Sequence, residues 1–277
     1  MKLELMNFLT GFVLSGAMAM FIERKDVLTF GGMLTAIALG TMVYGLGGPL
    51  WMGVLFAFFI SSSALTSLFE KEKEKVNREQ FEKGGPRDPW QVIANGGLSS
   101  GLAAAYFLYP QPIMLAAFLG VLATVNADTW ATELGVLSRR VPRLVTTLKS
   151  VERGRSGGIT LLGSVASLAG ALFIGGCAVV LAGIFDPTLL YAIGWEKVVI
   201  ISGLSGFLGS VIDSLLGATI QAQYYCGVCK KNTEQRVHHC GTRTVLKTGF
   251  SIVDNDTVNL LASIAGGIIA ALLFPLL

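Results

Sequence analysis

Gly158-Ile-Thr-Leu-Leu-Gly-Ser-Val-Ala-Ser-Leu-Ala-Gly-Ala-Leu-Phe-Ile-Gly-Gly-Cys-Ala-Val-Val-Leu-Ala-Gly-Ile184 is a run of 27 residues without one charged side chain. A bilayer core is ~30 Å thick, and a helix crosses it with ~20 apolar residues. The run therefore reads as a membrane span, and the rest of the chain repeats the pattern. Further apolar stretches cover 5–22, 28–46, 49–69, 91–108, 112–130, 196–221 and 257–276, which makes about eight spans. The fourth and fifth are short, and Pro110 and Pro112 set a tight turn or a re-entrant hairpin between them. The expected fold is all-α, one polytopic helix bundle over residues 1–277.

Composition agrees with this reading. The chain is 52% hydrophobic and 14% charged, with a mean hydropathy of +0.64, whereas a soluble domain carries ~25% charged residues. That balance excludes a soluble globular enzyme, a disordered chain and a disulfide-stapled secreted domain. The 34 glycines follow no G-X-Y period, so they fit helices packed closely through small residues rather than collagen. No small-residue cleavage site follows the first apolar run, and no cleavable signal peptide is expected.

The position of the charges sets an orientation. Of 21 Lys and Arg, 19 fall in loops 23–27, 70–90, 131–157 and 222–256, and only Lys2 and Lys197 lie on the opposite side. Cytoplasmic loops are the ones enriched in basic residues. Both termini are therefore expected outside and the long loops inside, in a prokaryotic cell membrane. The basic residues are spread over several loops with no aromatic platform, so nucleic acid is not an expected partner. Residues 70–82 alternate acids and bases and read as a solvated helical extension of the third span.

Polar residues at the inner ends of the spans carry the chemistry. Asn126-Ala-Asp128-Thr129-Trp130-Ala-Thr132-Glu133-Leu-Gly135 closes the fifth span. Carboxylates five residues apart can hold a divalent cation through oxygen ligands; pairing with Arg139 or Arg140 is the structural alternative. Asp213 lies inside the seventh span, ~12 Å from its inner end at 1.5 Å per residue. No Lys or Arg in that half of the span neutralises it. An acid at that depth must face a cavity, a metal or a cation from another helix. Arg87 precedes Gln91 and Asn95, which share one helix face. Arg153-Gly-Arg155-Ser156-Gly157-Gly158-Ile-Thr160 opens the sixth span, and exposed N–H groups at a glycine-rich helix start suit an anion. It is not a P-loop, because the Lys-Ser/Thr signature is missing. Asp254-Asn255-Asp256-Thr257-Val-Asn259 opens the last span; Asp254 and Asp256 suit capping as well as ligand binding.

Cys226-Gly-Val-Cys229 and His238-His239-Cys240 share one loop. That is the ligand count of a structural Cys₃His zinc site, with His238 preferred because adjacent His residues have difficulty reaching one ion. Residues 222–250 are thus expected as a small cytosolic zinc-loop insertion, where thiols stay reduced. Cys177 lies alone in the sixth span and reads as packing.

These motifs resemble a membrane family related to the plant phytyl-phosphate kinase of the vitamin E pathway, with animal, archaeal and bacterial transmembrane relatives. The resemblance rests on Arg87-Asp-Pro-Trp-Gln91-Val-Ile-Ala-Asn95-Gly, Ala127-Asp128-Thr-Trp-Ala-Thr-Glu133-Leu-Gly, Gly157-Gly158-Ile-Thr160 with Gly163, Gly209-Ser-Val-Ile-Asp213-Ser-Leu-Leu-Gly-Ala, and Asn255 with Val258-Asn259. It covers roughly residues 25–277, and the Ala-Asp-Thr-Trp-Ala-Thr-Glu-Leu-Gly string is its most specific part. It implies phosphoryl transfer from CTP, or another nucleoside triphosphate, to a prenyl monophosphate.

Residue chemistry and resemblance meet in one expectation, since phosphoryl transfer asks mainly for positioning and charge neutralisation. Asp128, Glu133 and Asp213 would hold Mg²⁺. Arg87, Arg153, Arg155, Ser156, Thr160 and the amides of Gly157 and Gly158 would bind phosphate. Asn95, Asn255 and Asn259 would orient the acceptor. Other readings use the same features: a cytidylyltransferase making a CDP-lipid, a secondary transporter with intramembrane acids, and a non-catalytic adaptor docking through the zinc loop.

Overall fold

The computed structural model describes residues 2–23, 27–69 and 85–277. The charged segment 70–82, expected as a helical extension, lies outside them. Eight long helices run through the described residues: α1 (Lys2–Glu23), α2 (Phe30–Gly47), α3 (Pro49–Leu68), α4 (Pro89–Leu108), α5 (Pro112–Gly135), α6 (Leu161–Phe185), then, after the two-turn α7 (Pro187–Ile193), α8 (Trp195–Thr219) and α9 (Asn255–Leu273). At 1.5 Å per residue they are ~27–38 Å long, enough to span a bilayer. Seven are also apolar enough to cross a membrane; α4 is not one of them. It carries Gln91, Asn95 and several small residues in place of large apolar ones.

Local sequence places the helix starts. Pro49, Pro89 and Pro112 each occupy the first helical turn, where the missing N–H costs nothing. Asp88 and Gln91 close a capping box at α4, and Thr29, Thr160 and Asp254 cap α2, α6 and α9. The pair around Pro110 is thus two helices of 20 and 24 residues joined by a tight turn. Helix α5 continues five residues past Trp130, where the expected span stopped, to Gly135.

The core is built around α5, whose span is 67% buried. It packs against α3, α4, α6, α8 and α9. Gly209 of α8 and Gly266 of α9 both close on Thr124: a Cβ at either would come within 2.2 Å of its hydroxyl. Only small residues allow backbones this close. Asn126 is fully buried and joins three helices, accepting from Ser61 (2.9 Å) and Ser62 (3.3 Å) of α3 and donating to the Gly170 carbonyl of α6 (2.8 Å). The hydrophobic core of the bundle includes Trp51, Phe118, Leu122 and Ile174.

Two loops carry small sheets that the sequence did not announce. β1 (Arg143–Leu144) pairs antiparallel with β2 (Gly158–Ile159). β3 (Gln223–Cys226), β4 (Lys231–Thr233) and β5 (Val245–Thr248) form an antiparallel sheet in the order β4-β3-β5. Folded loops must pair their own backbone groups, and short ladders do this.

Candidate functional site: a carboxylate-lined cavity at one end of the bundle

Where α5 emerges from the core, segments from α3, α4, α6, α8, α9 and the loops before them meet it around a cavity of about 440 Å³. Helix α5 contributes Asp128, Thr129, Thr132 and Glu133, and α8 contributes Ser210, Asp213, Ser214 and Gly217. Close packing of these helices through Thr124 and Gly209, about one turn below, fixes the distance between their acids. The carboxyl groups of Asp128 and Asp213 lie within hydrogen-bonding reach of each other. The second oxygen of Asp213, Oδ2, is buried with no hydrogen-bond partner among the described residues. Facing oxygens of this kind, one of them orphaned, are the donor set of a hard divalent cation. Glu133 also lines the cavity, and Thr66 donates to it at 3.0 Å.

The basic side of the cavity comes from two loops. Arg87 is pinned by its backbone: its N–H donates to Val27 O (2.9 Å), its carbonyl accepts from Thr29 N (3.1 Å), and Leu28 and Arg87 form a parallel bridge. The clip ties the start of α2 to the start of α4. Burial lowers the Arg87 pKa to about 10, so it remains a cation at neutral pH. Gln91 accepts from Asp88 N in the capping box and, like Asn95, faces the cavity. Arg153, Arg155 and Ser156 arrive on the loop before α6. Gly157 locks that loop: its φ is +75°, and its backbone presses on α8, so that a Cβ would sit 2.5 Å from Ala218 Cβ and 2.7 Å from Ser214 O.

Two expectations change at this point. Helix α6 starts at Leu161, behind its Thr160 cap, so Gly157 and Gly158 are not its first turn. The Gly158 N–H is already committed to the Arg155 carbonyl at 2.9 Å. It is not a free donor for an anion, although both glycines line the cavity. Asn259 also stays off the wall, because it lies one turn further along α9, the helix that packs on α5 and α8. Asn255 is on the wall. So is Asp254, whose carboxylate caps α9 by accepting from Thr257 N at 2.9 Å.

The loop between α8 and α9 supplies residues that sequence reasoning missed. Gln221, Tyr224, Glu234 and Arg236 all line the cavity. Glu234 is 7% exposed, accepts from Gln221 Nε2 at 2.9 Å and from the Ser156 hydroxyl, and its charge reaches Asp213. Gln223 Nε2 donates to Ser156 at 2.9 Å. Glu234 is the lone acid in residues 222–250, a signal that was present and unread.

That loop carries a Cys/His cluster. One ligand atom from each of Cys226, Cys229, His238 and Cys240 lies within 4.8 Å of the others, and His239 is not among them. The set can hold one metal ion. The Cys229 N–H points at Cys226 Sγ (3.5 Å), and His238 Nδ1 is 3.2 Å from Cys240 Sγ. Hydrogen bonds from Thr242 and His238 hold the Cys240 thiol down to about 5, while its contact with Cys240 pushes Cys229 up to about 11. Lys230, at φ +54°, turns the chain out of the first Cys pair into β4. The cluster therefore sits at one end of β3, while Gln221, just before the other end, lines the cavity and Gln223 bonds Ser156 of its wall.

The comparisons with known proteins bear on the same residues. The chain is similar to Protein PGR of Arabidopsis thaliana, with 32% identity over 253 residues, 86% of this chain and 85% of that protein. It is 28% identical to an uncharacterized membrane protein of Methanocaldococcus jannaschii, covering 93% of this chain and 90% of the other. Protein VTE6, chloroplastic, also of Arabidopsis thaliana, is 25% identical over 89% of this chain and 65% of its own length. No solved structure matches. The family described as integral membrane protein DUF92 matches residues 13–267, and the chain, as its motifs led one to expect, belongs to that family.

Proposed function

We propose that the protein is a membrane lipid-phosphate kinase that converts a prenyl or phytyl monophosphate into the diphosphate, with CTP as phosphoryl donor. One observation carries the reading: acids from two helices, Asp128 and Asp213, face each other in a cavity that also receives Arg87, Arg153 and Arg155. The similarity to VTE6 supports it, since the motifs resemble the phytyl-phosphate kinase group.

Asp128, Asp213 and Glu133 would hold Mg²⁺; the buried, orphaned Oδ2 of Asp213 fits this. Bound there, Mg²⁺ supplies charge neutralisation on the nucleotide phosphates. Arg153 and Arg155 pair with the donor phosphates and Arg87 with the acceptor phosphate. Ser156 and Thr160 line the donor side, and Asn95 and Asn255 orient the acceptor. An acceptor phosphate is already anionic, so no strong general base is required. In-line placement does the remaining work.

On this reading the cavity faces the cytosol, the termini lie outside, and residues 222–250 form a zinc-stabilised insertion whose Cys226, Cys229, His238 and Cys240 hold structural Zn²⁺. The test uses purified protein with a prenyl monophosphate, CTP and Mg²⁺. The kinase makes prenyl diphosphate and CDP; CDP-lipid with pyrophosphate would instead identify a cytidylyltransferase. Asp128→Asn abolishes the reaction, and full turnover in that variant removes Asp128 from the metal role.

A further inference from the structure

A second cavity touches the first. It is a partly open, almost wholly apolar groove between α1, α2, α3 and α4, lined by Met18, Leu39, Leu55, Phe59 and Val92 among others. Three residues belong to both cavities: Arg87, Gln91 and Asn95. They form the junction. Small residues keep the groove open; Ala36, Gly40 and Gly96 lie on its walls. Along α2 it reaches Gly40, ten residues from the helix start, or ~15 Å into the bundle. It thus leads from the polar end towards the middle of the membrane.

The junction has the character of a headgroup site. Arg87 is held by its backbone clip, and among the described residues no carboxylate offsets its guanidinium. Asn95 Oδ1 is buried with no hydrogen-bond partner among them. A cation at the polar mouth of an apolar groove matches a phosphate joined to a hydrocarbon chain, with the anion on the guanidinium and the chain below it; Asn95 can add only its N–H₂ to that anion, since Oδ1 is an acceptor like the phosphate oxygens. From this geometry we infer that the groove binds the tail of a single-chain isoprenoid or alkyl monophosphate, with Arg87, Gln91 and Asn95 at its phosphate. The inference rests on the kinase reading for what happens to that phosphate next, but not for the binding itself.

The probe is a C20 isoprenoid monophosphate with a diazirine midway along its tail, photolysed with the purified protein in nanodiscs without nucleotide. Adducts are expected on α2, α3 and α4 residues that line the groove. Unlabelled prenyl monophosphate competes, the prenyl alcohol competes at least tenfold more weakly, and Arg87→Gln removes that difference. Ala36→Phe, which fills the groove, lowers adduct yield at least tenfold; should it fail to fold, Leu39→Trp serves the same purpose. Adducts spread over outward helix faces, or unchanged in a folded filling variant, overturn the assignment. Equal competition by a two-chain phosphatidic acid overturns the single-chain part of it. Groove adducts without any diphosphate product support the groove and remove the kinase; turnover with adducts elsewhere removes the groove and leaves the kinase.

Discussion

Gly157→Ala offers a sharp perturbation, because the cavity depends on a loop that carries Arg153, Arg155 and Ser156 against α8. At Gly157 φ is +75°, and an added Cβ would meet Ala218 Cβ at 2.5 Å and the backbone atoms Ser214 O and Ala218 N at 2.7 Å. Left-handed backbone costs a non-glycine residue about 1–2 kcal/mol, and overpacking adds about 1–3 kcal/mol. The sum, about 2–5 kcal/mol, need not unfold the bundle, since the loop can lift off α8 and relieve both. At 1.4 kcal/mol per tenfold, the docked loop loses on the order of 30-fold to several thousandfold in equilibrium constant. Limited trypsin digestion in detergent reads this directly, because cleavage after Arg153 and Arg155 requires a lifted loop. The variant should be cut much faster than wild type there, with helical circular dichroism and thermal midpoint little changed. Ala218→Gly added to it restores part of the protection, since the backbone contacts persist. Wild-type cleavage rates in Gly157→Ala would refute the docking argument.

Other perturbations probe separate parts. Asn126→Leu deletes three interhelical hydrogen bonds; at about 0.6 kcal/mol each in a membrane bundle, it should lose roughly 2 kcal/mol in a denaturing-detergent titration. Glu234→Gln keeps the shape but removes a charge beside Asp213, and should cut diphosphate formation at least tenfold while leaving the zinc content intact. Native mass spectrometry should find one zinc per chain, and none in Cys226→Ser. In metal-stripped protein at pH 7, iodoacetamide should label Cys240 before Cys229: a thiol held at about 5 is ionised above that pH, whereas one pushed to about 11 is protonated. The reverse order would contradict the hydrogen bonds drawn around Cys240.

The spans were legible because their signal is additive over ~20 residues, and prolines and caps mark their edges. Asp128, Asp213 and the Cys/His set were legible as chemically expensive or patterned residues in unfavourable surroundings. Glu234 and Arg236 were not. They reach the cavity only because β3 and β4 fold the loop back on itself, and no local pattern encodes that return. Gly157-Gly158 was misread for a related reason: Thr160, not the glycines, supplies the cap, and the short β1–β2 ladder holds Gly158 outside the helix. Asn259 has the spacing of a partner to Asn255, but only Asn255 lines the cavity.

The backbone bridge between residues 27–29 and Arg87 has an evolutionary corollary. It acts as a fixed post at the far end of the connection that leaves α3, so the Arg87 backbone keeps its place whatever the length of chain between Leu68 and Pro86. Insertions, deletions or fusion tags in that connection should be tolerated, whereas a proline replacing Thr29, which removes a donor to Arg87 O, should not. Length variation among relatives is accordingly expected to collect there and to stop abruptly at the post.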